Sequence, residues 1–191
     1  MVEMKTSTVE SLLGVLSLGP MSGYEIRQFM ERATANFWSE SYGQIYPALK
    51  RMLADGLVEI MKDEDGEGHP AKKVYRLTEA GRLRLKEWLG IPVRPHKHRN
   101  EMLLKLFFGS PAESGVLVAQ VESWRTRYAS DLERYVELEK QIPERQKGHP
   151  GLPFFLMTLR YGIVEAKALV GWCDETLAEL KKLDEAKGRL A

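Results

Sequence analysis

The sequence predicts a mainly α-helical protein with one small β-hairpin, and two features carry this prediction. Residues 41–58 place apolar side chains at helical spacing, stop at Asp55-Gly56 and continue as an alternating strand. Residues 112–187 repeat apolar side chains at steps of three and four. We therefore expect three parts. They are a winged helix-turn-helix domain over residues 1–90, a linker over 91–98, and a domain of long helices for dimerisation and effector binding over 99–191.

Length and composition fit a soluble globular protein. The 191 residues are 43% apolar, which supports a hydrophobic core. Cys173 is the only cysteine, so no internal disulfide is expected and a reducing compartment is favoured. No apolar run reaches the roughly 18 residues of a membrane span, and the N-terminus does not have the pattern of a signal peptide. We expect a cytoplasmic protein.

Bulk charge gives little support to nucleic-acid binding. The formal net charge is +1, and residues 1–90 hold 12 Lys and Arg against 13 Asp and Glu. A role in DNA binding must therefore depend on local clusters of charge. Two copies of a small basic patch, acting on one duplex together, would partly compensate.

The N-terminal helices follow from start and stop signals. A helix over residues 8–18 ends at the Gly-Pro pair of 19–20. Ser22, with Glu25 three residues later, has the spacing of a capping box and begins a second helix. Ser41 is positioned to cap the third helix, which ends near residue 54.

A hairpin follows the third helix. Strands over 57–61 and 72–77 flank a highly charged turn. The tip of this turn, 63–67, is acidic, where contact with phosphates would favour basic residues. We expect the tip to point away from DNA and to leave Lys72 and Lys73 to make the contact.

The rest of the chain reads as almost wholly helical. Prolines at positions 92 and 95 mark the linker, and a polar loop is predicted over 143–153. The helices predicted here cover residues 78–89, 100–108, 112–141 and 154–187.

The two long helices carry the heptad seam of a coiled coil. Helices of this length, joined to a small domain, have little of their own chain to pack against. We therefore expect the seam to pack against a second copy in a homodimer. The residues predicted to form this interface are Leu117, Val121, Trp124, Tyr128, Leu156, Leu159, Ile163, Val170, Cys173, Leu177 and Leu180.

In a winged helix-turn-helix the third helix enters the DNA major groove. Gln44 could pair with adenine through both amide atoms or be a solvated helix residue. Lys50 and Arg51 could bind phosphates or form an ordinary charged face. Tyr46 could donate to a phosphate or pack its ring beneath the wing. The start of the second helix could hold a phosphate or serve only as a cap. The predicted DNA contacts are Ser22, Tyr24, Ser41, Tyr42, Gln44, Tyr46, Pro47, Lys50, Arg51, Lys72 and Lys73.

Four aromatic residues could line a pocket for a planar aromatic ligand, although aromatic residues at helical spacing more often fill a core. They are Trp124, Tyr128, Tyr161 and Trp172. His96 and His98 have too few candidate ligands nearby for a metal site, so no metal or cofactor is expected. Cys173 on the seam reads as a small buried apolar residue, not a redox sensor.

The N-terminal half resembles the PadR family of bacterial transcriptional regulators. The order and spacing of the matching residues follow the family along nearly all of residues 8–90. The residues that carry the match are Leu13-Gly14, Leu16, Gly19-Pro20-Met21-Ser22-Gly23-Tyr24-Glu25-Ile26, Ser41-Tyr42-Gly43-Gln44-Ile45-Tyr46-Pro47-Ala48-Leu49, Leu53, Gly56-Leu57-Val58 and Lys73-Val74-Tyr75-Arg76-Leu77-Thr78-Glu79-Ala80-Gly81. Residues 99–108 and the two long helices are also similar in pattern to the C-terminal region of the longer members.

This resemblance implies a dimeric repressor whose helix over 41–54 reads a palindromic operator. In many members a small aromatic or drug-like ligand, or a stress signal, releases the DNA. One alternative is a winged-helix module for contact with another protein, which the near-neutral N-terminal domain favours. An enzyme is the third class, but the sequence has no nucleophile–base pair, no Gly-rich phosphate loop and no metal-ligand spacing. We therefore expect no enzymatic activity.

Overall fold

The computed structural model describes residues 8–34, 37–38, 40–61, 73–93, 99–110, 112 and 115–188. The chain divides into two compact units, Met1–Pro95 and His96–Ala191. Several predicted features lie outside the described residues. They are the wing tip at 63–67, Lys72, His96 and His98.

The N-terminal unit is a bundle of four short helices beside a small sheet. Its core is formed by the inward faces of the first three helices and the sheet. The fully buried large side chains are Leu12, Leu13, Ile26, Ile45, Leu49, Met52 and Val58. The elements, in chain order, are α1 (Thr8–Leu16), β1 (Met21–Ser22), α2 (Gly23–Ala33), α3 (Tyr42–Ala54), β2 (Val58–Met61), β3 (Val74–Leu77) and α4 (Glu79–Leu89).

The sheet has three antiparallel strands in the order β1-β3-β2. The β2–β3 pair is the predicted hairpin, with Val58 opposite Leu77. Strand β1 was not predicted, because two residues are too few to show the alternation by which a strand is recognised. It places Met21 opposite Tyr75, so the start of α2 is held against the wing.

The predicted helix caps of the N-terminal unit are confirmed. The Ser22 amide and hydroxyl both donate to Glu25 Oε2, at 2.9 and 2.8 Å, and the Glu25 amide donates back to Ser22 Oγ. The Asp55-Gly56 stop is also confirmed, since Gly56 has φ +70°, a conformation that glycine adopts without strain. The sequence therefore encodes both ends of the helix-turn-helix locally.

A carboxylate fixes the segment that leads into α3. Glu40 accepts hydrogen bonds from Thr8 Oγ1 at 2.9 Å, Ser11 Oγ at 3.2 Å and Trp38 Nε1 at 3.0 Å. Two of these donors belong to the first turn of α1, where a negative charge is also favoured by the helix dipole. This ties the start of α3 to α1.

The wing and α4 meet at a close backbone approach. The Thr78 hydroxyl donates to the Gly56 carbonyl at 2.7 Å, and the Thr78 amide donates to the Leu57 carbonyl at 3.2 Å. A Cβ added at Gly81 would lie 2.1 Å from that same Leu57 oxygen. Glycine is therefore required where α4 crosses the base of the wing.

The C-terminal unit consists of α5 (Glu101–Phe107), α6 (Val116–Arg145) and α7 (Leu152–Gly188). Helix α6 continues through Pro143, which had been predicted to lie in the loop; the loop is shorter and begins after Arg145. Within the described ranges, no helix combines the length and the hydropathy that crossing a membrane requires. The mainly helical fold with a small antiparallel sheet agrees with the predicted fold class.

The predicted heptad seam packs inside one chain, because α6 and α7 lie against each other. The premise that these helices lack a partner in their own chain is therefore wrong. Val121 and Cys173 have no exposed surface even in the single chain, so they are not available to a second copy. The C-terminal unit has two apolar clusters, one around Val121 and Cys173 and one around Tyr135, Leu159 and Ala166. The predicted interface residues found in these clusters are Val121, Trp124, Leu159, Ile163, Cys173, Leu177 and Leu180.

Candidate nucleic-acid interface

Helix α3 has one buried face and one exposed face. Ile45, Ala48, Leu49 and Met52 are buried in the core. The outer face carries no acidic residue anywhere between residues 42 and 54. Its exposed members are Gly43, Gln44, Tyr46, Pro47, Lys50, Arg51, Leu53 and Ala54.

Two cations give this outer face a positive charge. Lys50 and Arg51 are both exposed, and neither forms a salt bridge within the part of the chain that the structure describes. They lie in the second half of α3, whose only neighbouring acid in sequence is Asp55 at the C-terminal cap. The local charge is therefore positive although the N-terminal half of the chain is near neutral.

Ser41 and Gln44 form the start of this helix. The Gln44 side-chain oxygen accepts from the Ser41 hydroxyl at 2.9 Å and from the Ser41 amide at 3.2 Å. A bidentate pair with adenine needs both the oxygen and the nitrogen of the amide. The predicted base contact by Gln44 therefore requires that it release the cap.

Ser22 has a structural role that competes with its predicted contact to DNA. Its side chain is only 4% exposed, and its hydroxyl is engaged in the cap with Glu25. A direct side-chain contact to DNA is therefore not available to Ser22. The next residue but one, Tyr24, is half-exposed, and its hydroxyl accepts from Gln28 at 2.6 Å.

Tyr46 belongs to α3, and its ring lies against the start of α2. Its side chain is half-exposed, and its ring is close enough to Gly23 that a Cβ there would lie 2.8 Å from Cε1. Burial raises the pKa of Tyr75 on β3, and the nearby Tyr46 phenol raises it further. The Tyr46 ring is thus packed while part of its side chain stays exposed, and contact with a phosphate stays a prediction.

The wing contributes Lys73, which is exposed at the start of β3. Further along the hairpin, Arg76 and Glu59 face each other in register and form an exposed salt bridge of 2.7 Å. This pairing removes Arg76 from the set of free cations. Of Lys72 and Lys73, the structure describes only Lys73, which is exposed and forms no salt bridge among the described residues.

A second apolar seam lies on the outer face of α7, and sequence reasoning missed it. Phe154, Met157, Tyr161 and Val164 follow each other at steps of three and four and are each 60–68% exposed. They lie on the side of α7 opposite the buried Leu159 and Ala166. The spacing can be read from the sequence, but the apolar repeat on the inner face of α7 is more regular and was the one recognised.

The four aromatic residues predicted to line a ligand pocket are only partly brought together. Trp124 and Trp172 both pack against the cluster around Cys173, and Trp124 meets Tyr128 edge-on at 5.5 Å between ring centroids. Tyr161 is exposed, and its hydroxyl lies 3.5 Å from Glu165. The two tryptophans are thus partly buried and cover one side of this cluster.

Two surface cavities among the described residues of the C-terminal unit are lined by other side chains than these four aromatics. One, of about 150 Å³, lies between the end of α5, the start of α6 and Asp184. The other is an open groove beside the Arg125–Asp174 ion pair.

Burial raises the pKa of Cys173, which keeps it as an unreactive thiol. Among the described residues no cluster of His, Cys, Asp or Glu could hold a metal ion.

Comparisons with known proteins match both units. Residues 12–87 match the transcriptional regulator PadR-like family, and residues 98–181 match the virulence activator alpha C-terminal family. The negative transcriptional regulator PadR of Bacillus subtilis is 29% identical over 178 residues, which cover 90% of this chain and 96% of that protein.

Solved structures of the Bacillus subtilis protein have the same fold. Its complex with operator DNA has a TM-score of 0.79 at 24% identity and covers 94% of this chain and 99% of that chain. Its complex with p-coumaric acid has a TM-score of 0.69 at 25% identity and covers 90% and 97%. Both units are thus matched in order, the N-terminal one by the PadR-like family of transcriptional regulators and the C-terminal one by the virulence activator alpha C-terminal family.

Proposed function

We propose that this protein is a repressor that binds a palindromic operator as a homodimer. The observation that carries the proposal is the outer face of α3, where Lys50 and Arg51 are exposed on a capped helix without a single acidic residue. A helix of this kind fits the major groove, and its cations provide the phosphate contacts that position it there. The exposed Lys73 adds a contact from the wing.

Relatives support this function. The Bacillus subtilis protein is named a negative transcriptional regulator, and its structure with operator DNA has the fold of this chain. A regulator that acts on bacterial promoters works in the cytoplasm, which agrees with the compartment expected from the single cysteine. The domain division at residues 91–98 is part of the same proposal, with a reader before it and a dimerisation domain after it.

The test is a titration of the protein against a labelled duplex from the region upstream of its own coding sequence. Scrambled duplex serves as the control, and each titration is done at low and at near-physiological salt. We expect preference for the upstream duplex and an affinity that falls steeply with salt, since phosphate contacts release counterions. Equal, salt-insensitive binding to both duplexes would instead favour the winged-helix module for protein contact.

The dimer interface proposed here is the outer seam of α7, meaning Phe154, Met157, Tyr161 and Val164. Four large apolar side chains, each more than half exposed, leave a stripe that is costly in water. The heptad spacing suits a second helix, and two copies of the same stripe satisfy each other around a two-fold axis. The seam predicted from the sequence packs within each protomer and stabilises it. The outer seam of α7 joins the two protomers.

Introducing charge on the outer seam should separate the protomers. We expect the double variant Tyr161→Lys, Val164→Lys to be monomeric, because two ammonium groups per copy would have to lose water at the interface. Sedimentation equilibrium gives the mass directly, and circular dichroism checks that the helices persist. Ser123→Lys adds one ammonium group per copy at an exposed position of α6 and should remain dimeric. A dimeric double variant would contradict this interface.

Release by a small aromatic ligand is the remaining part of the proposal. It is supported by the structure of the Bacillus subtilis relative with p-coumaric acid. In this chain Tyr128 and Tyr161 both lie near the Glu165 carboxylate, which disfavours an anionic group at that place. A ligand would act by binding better to a dimer whose reader domains no longer match the operator spacing.

A further inference from the structure

Gly23 stands at a position where glycine has no backbone reason to occur. It is the first residue of α2, and its φ lies outside the left-handed region that favours glycine. Alanine is the better helix former, by roughly 0.5–1 kcal/mol in a helix interior. Some contact must therefore offset the cost of the missing side chain.

That contact is the ring of Tyr46. A Cβ at Gly23 would lie 2.8 Å from Cε1, 3.1 Å from Cζ and 3.3 Å from the phenol oxygen of Tyr46. All three atoms are at the end of a side chain, so a methyl group there would displace the ring and leave the backbone in place. The bare backbone of Gly23 is what lets the ring lie where it does.

The surroundings of Gly23 are rigid. The preceding residue, Ser22, is paired with Val74 in the sheet and is locked to Glu25 by the capping box. Tyr75, the next residue of the same strand, is close enough to Tyr46 for the two phenols to interact. Tyr46 therefore rests on a fixed corner of α2 and the wing, while about half of its side chain stays open to solvent on the outer face of α3.

We propose that Gly23 is a positioning residue for DNA contact, which holds the Tyr46 phenol at a fixed place on the interface so that its hydroxyl donates to the DNA backbone. This inference rests on the proposed function. Pre-organisation of the phenol is the reason for an effect on affinity, because a ring displaced by a methyl group must be reordered when DNA binds.

The test uses the full chain and four variants: Gly23→Ala, Tyr46→Phe, the double variant, and Gly14→Ala. The last is the matched control, since a Cβ at Gly14 in α1 meets nothing within 4 Å. Labelling with 3-fluorotyrosine gives a 19F NMR signal for Tyr46, assigned by its loss in Tyr46→Phe. We expect Gly23→Ala to shift that signal and to leave the far-ultraviolet circular dichroism unchanged, and Gly14→Ala to change neither.

Affinity for the upstream duplex then decides the role in binding. Gly23→Ala and Tyr46→Phe should each lower affinity about tenfold, and the double variant should lose no more than either alone, because both act on one hydroxyl. Additive losses, an unmoved Tyr46 signal, or full affinity in either single variant would overturn the inference. Failure of the unaltered protein to bind the duplex would overturn the proposed function and this contact with it. Binding that is insensitive to Gly23→Ala would overturn this inference alone.

Discussion

Replacing Gly81 by alanine should destabilise the N-terminal unit by about 3 kcal/mol or more, at the upper end of what overpacking costs. The added Cβ would lie 2.1 Å from the Leu57 carbonyl oxygen and 3.0 Å from Cδ2 of Leu77. The Leu57 oxygen belongs to the backbone and also accepts from the Thr78 amide. It cannot move away without breaking the junction between the wing and α4.

Urea denaturation of the full chain measures this loss. Trp38 and Trp88 report on the N-terminal unit, and replacing Trp124 and Trp172 by phenylalanine in every variant removes the signal of the other unit. Gly14→Ala adds the same methyl group to α1 with no contact within 4 Å and should leave the unfolding midpoint nearly unchanged. An unfolding curve for Gly81→Ala that coincides with that of the control would show that the junction yields easily.

Removing both cations of α3 should have the largest effect on DNA binding. The double variant Lys50→Ala, Arg51→Ala leaves the outer face of the helix without a charge. Each phosphate contact adds about 0.9 to the slope of log affinity against log salt for duplex DNA. Loss of two contacts per protomer should therefore flatten the slope by about 4 per dimer and lower affinity at least a hundredfold at low salt.

The matched control is the double variant Arg82→Ala, Lys86→Ala. It removes the same charge from α4 of the same unit, where Arg82 forms an exposed ion pair with Glu79 and a long hydrogen bond of 3.4 Å to the Leu77 carbonyl. Exposed pairs of this kind contribute little to stability. We expect the control to keep both the affinity and the salt slope. Equal losses in the two double variants would mean that net charge, and not the face of α3, governs binding.

Local signals in the sequence predicted the N-terminal unit well. The Ser22–Glu25 box and the Gly56 stop depend on residues close together in the chain and are found as predicted. The apolar face of α3 is found at Ile45, Leu49 and Met52, but Leu53, predicted for the same face, is exposed. Strand β1 was missed because its stability comes from pairing with β3, more than 50 residues away. The contact of Gly23 with Tyr46 has the same origin and was equally hidden.

The C-terminal unit was harder to predict because α7 is apolar on two faces. A heptad repeat shows which residues share a face, but it does not show whether the partner is the same chain or another one. The inner seam around Cys173 was the more regular of the two and was taken for the interface between protomers. The burial of Leu159, Ala166 and Cys173 within one chain distinguishes the inner face of α7 from its outer face.

A helix with two apolar faces links the fold of each protomer to the amount of protein present. A lone protomer would leave Phe154, Met157, Tyr161 and Val164 in water, and association would remove that cost by mass action. Dilution that separates the two protomers would then also weaken binding to an operator with two half-sites. The cellular concentration of the protein would then itself control how much operator is bound, independently of any ligand.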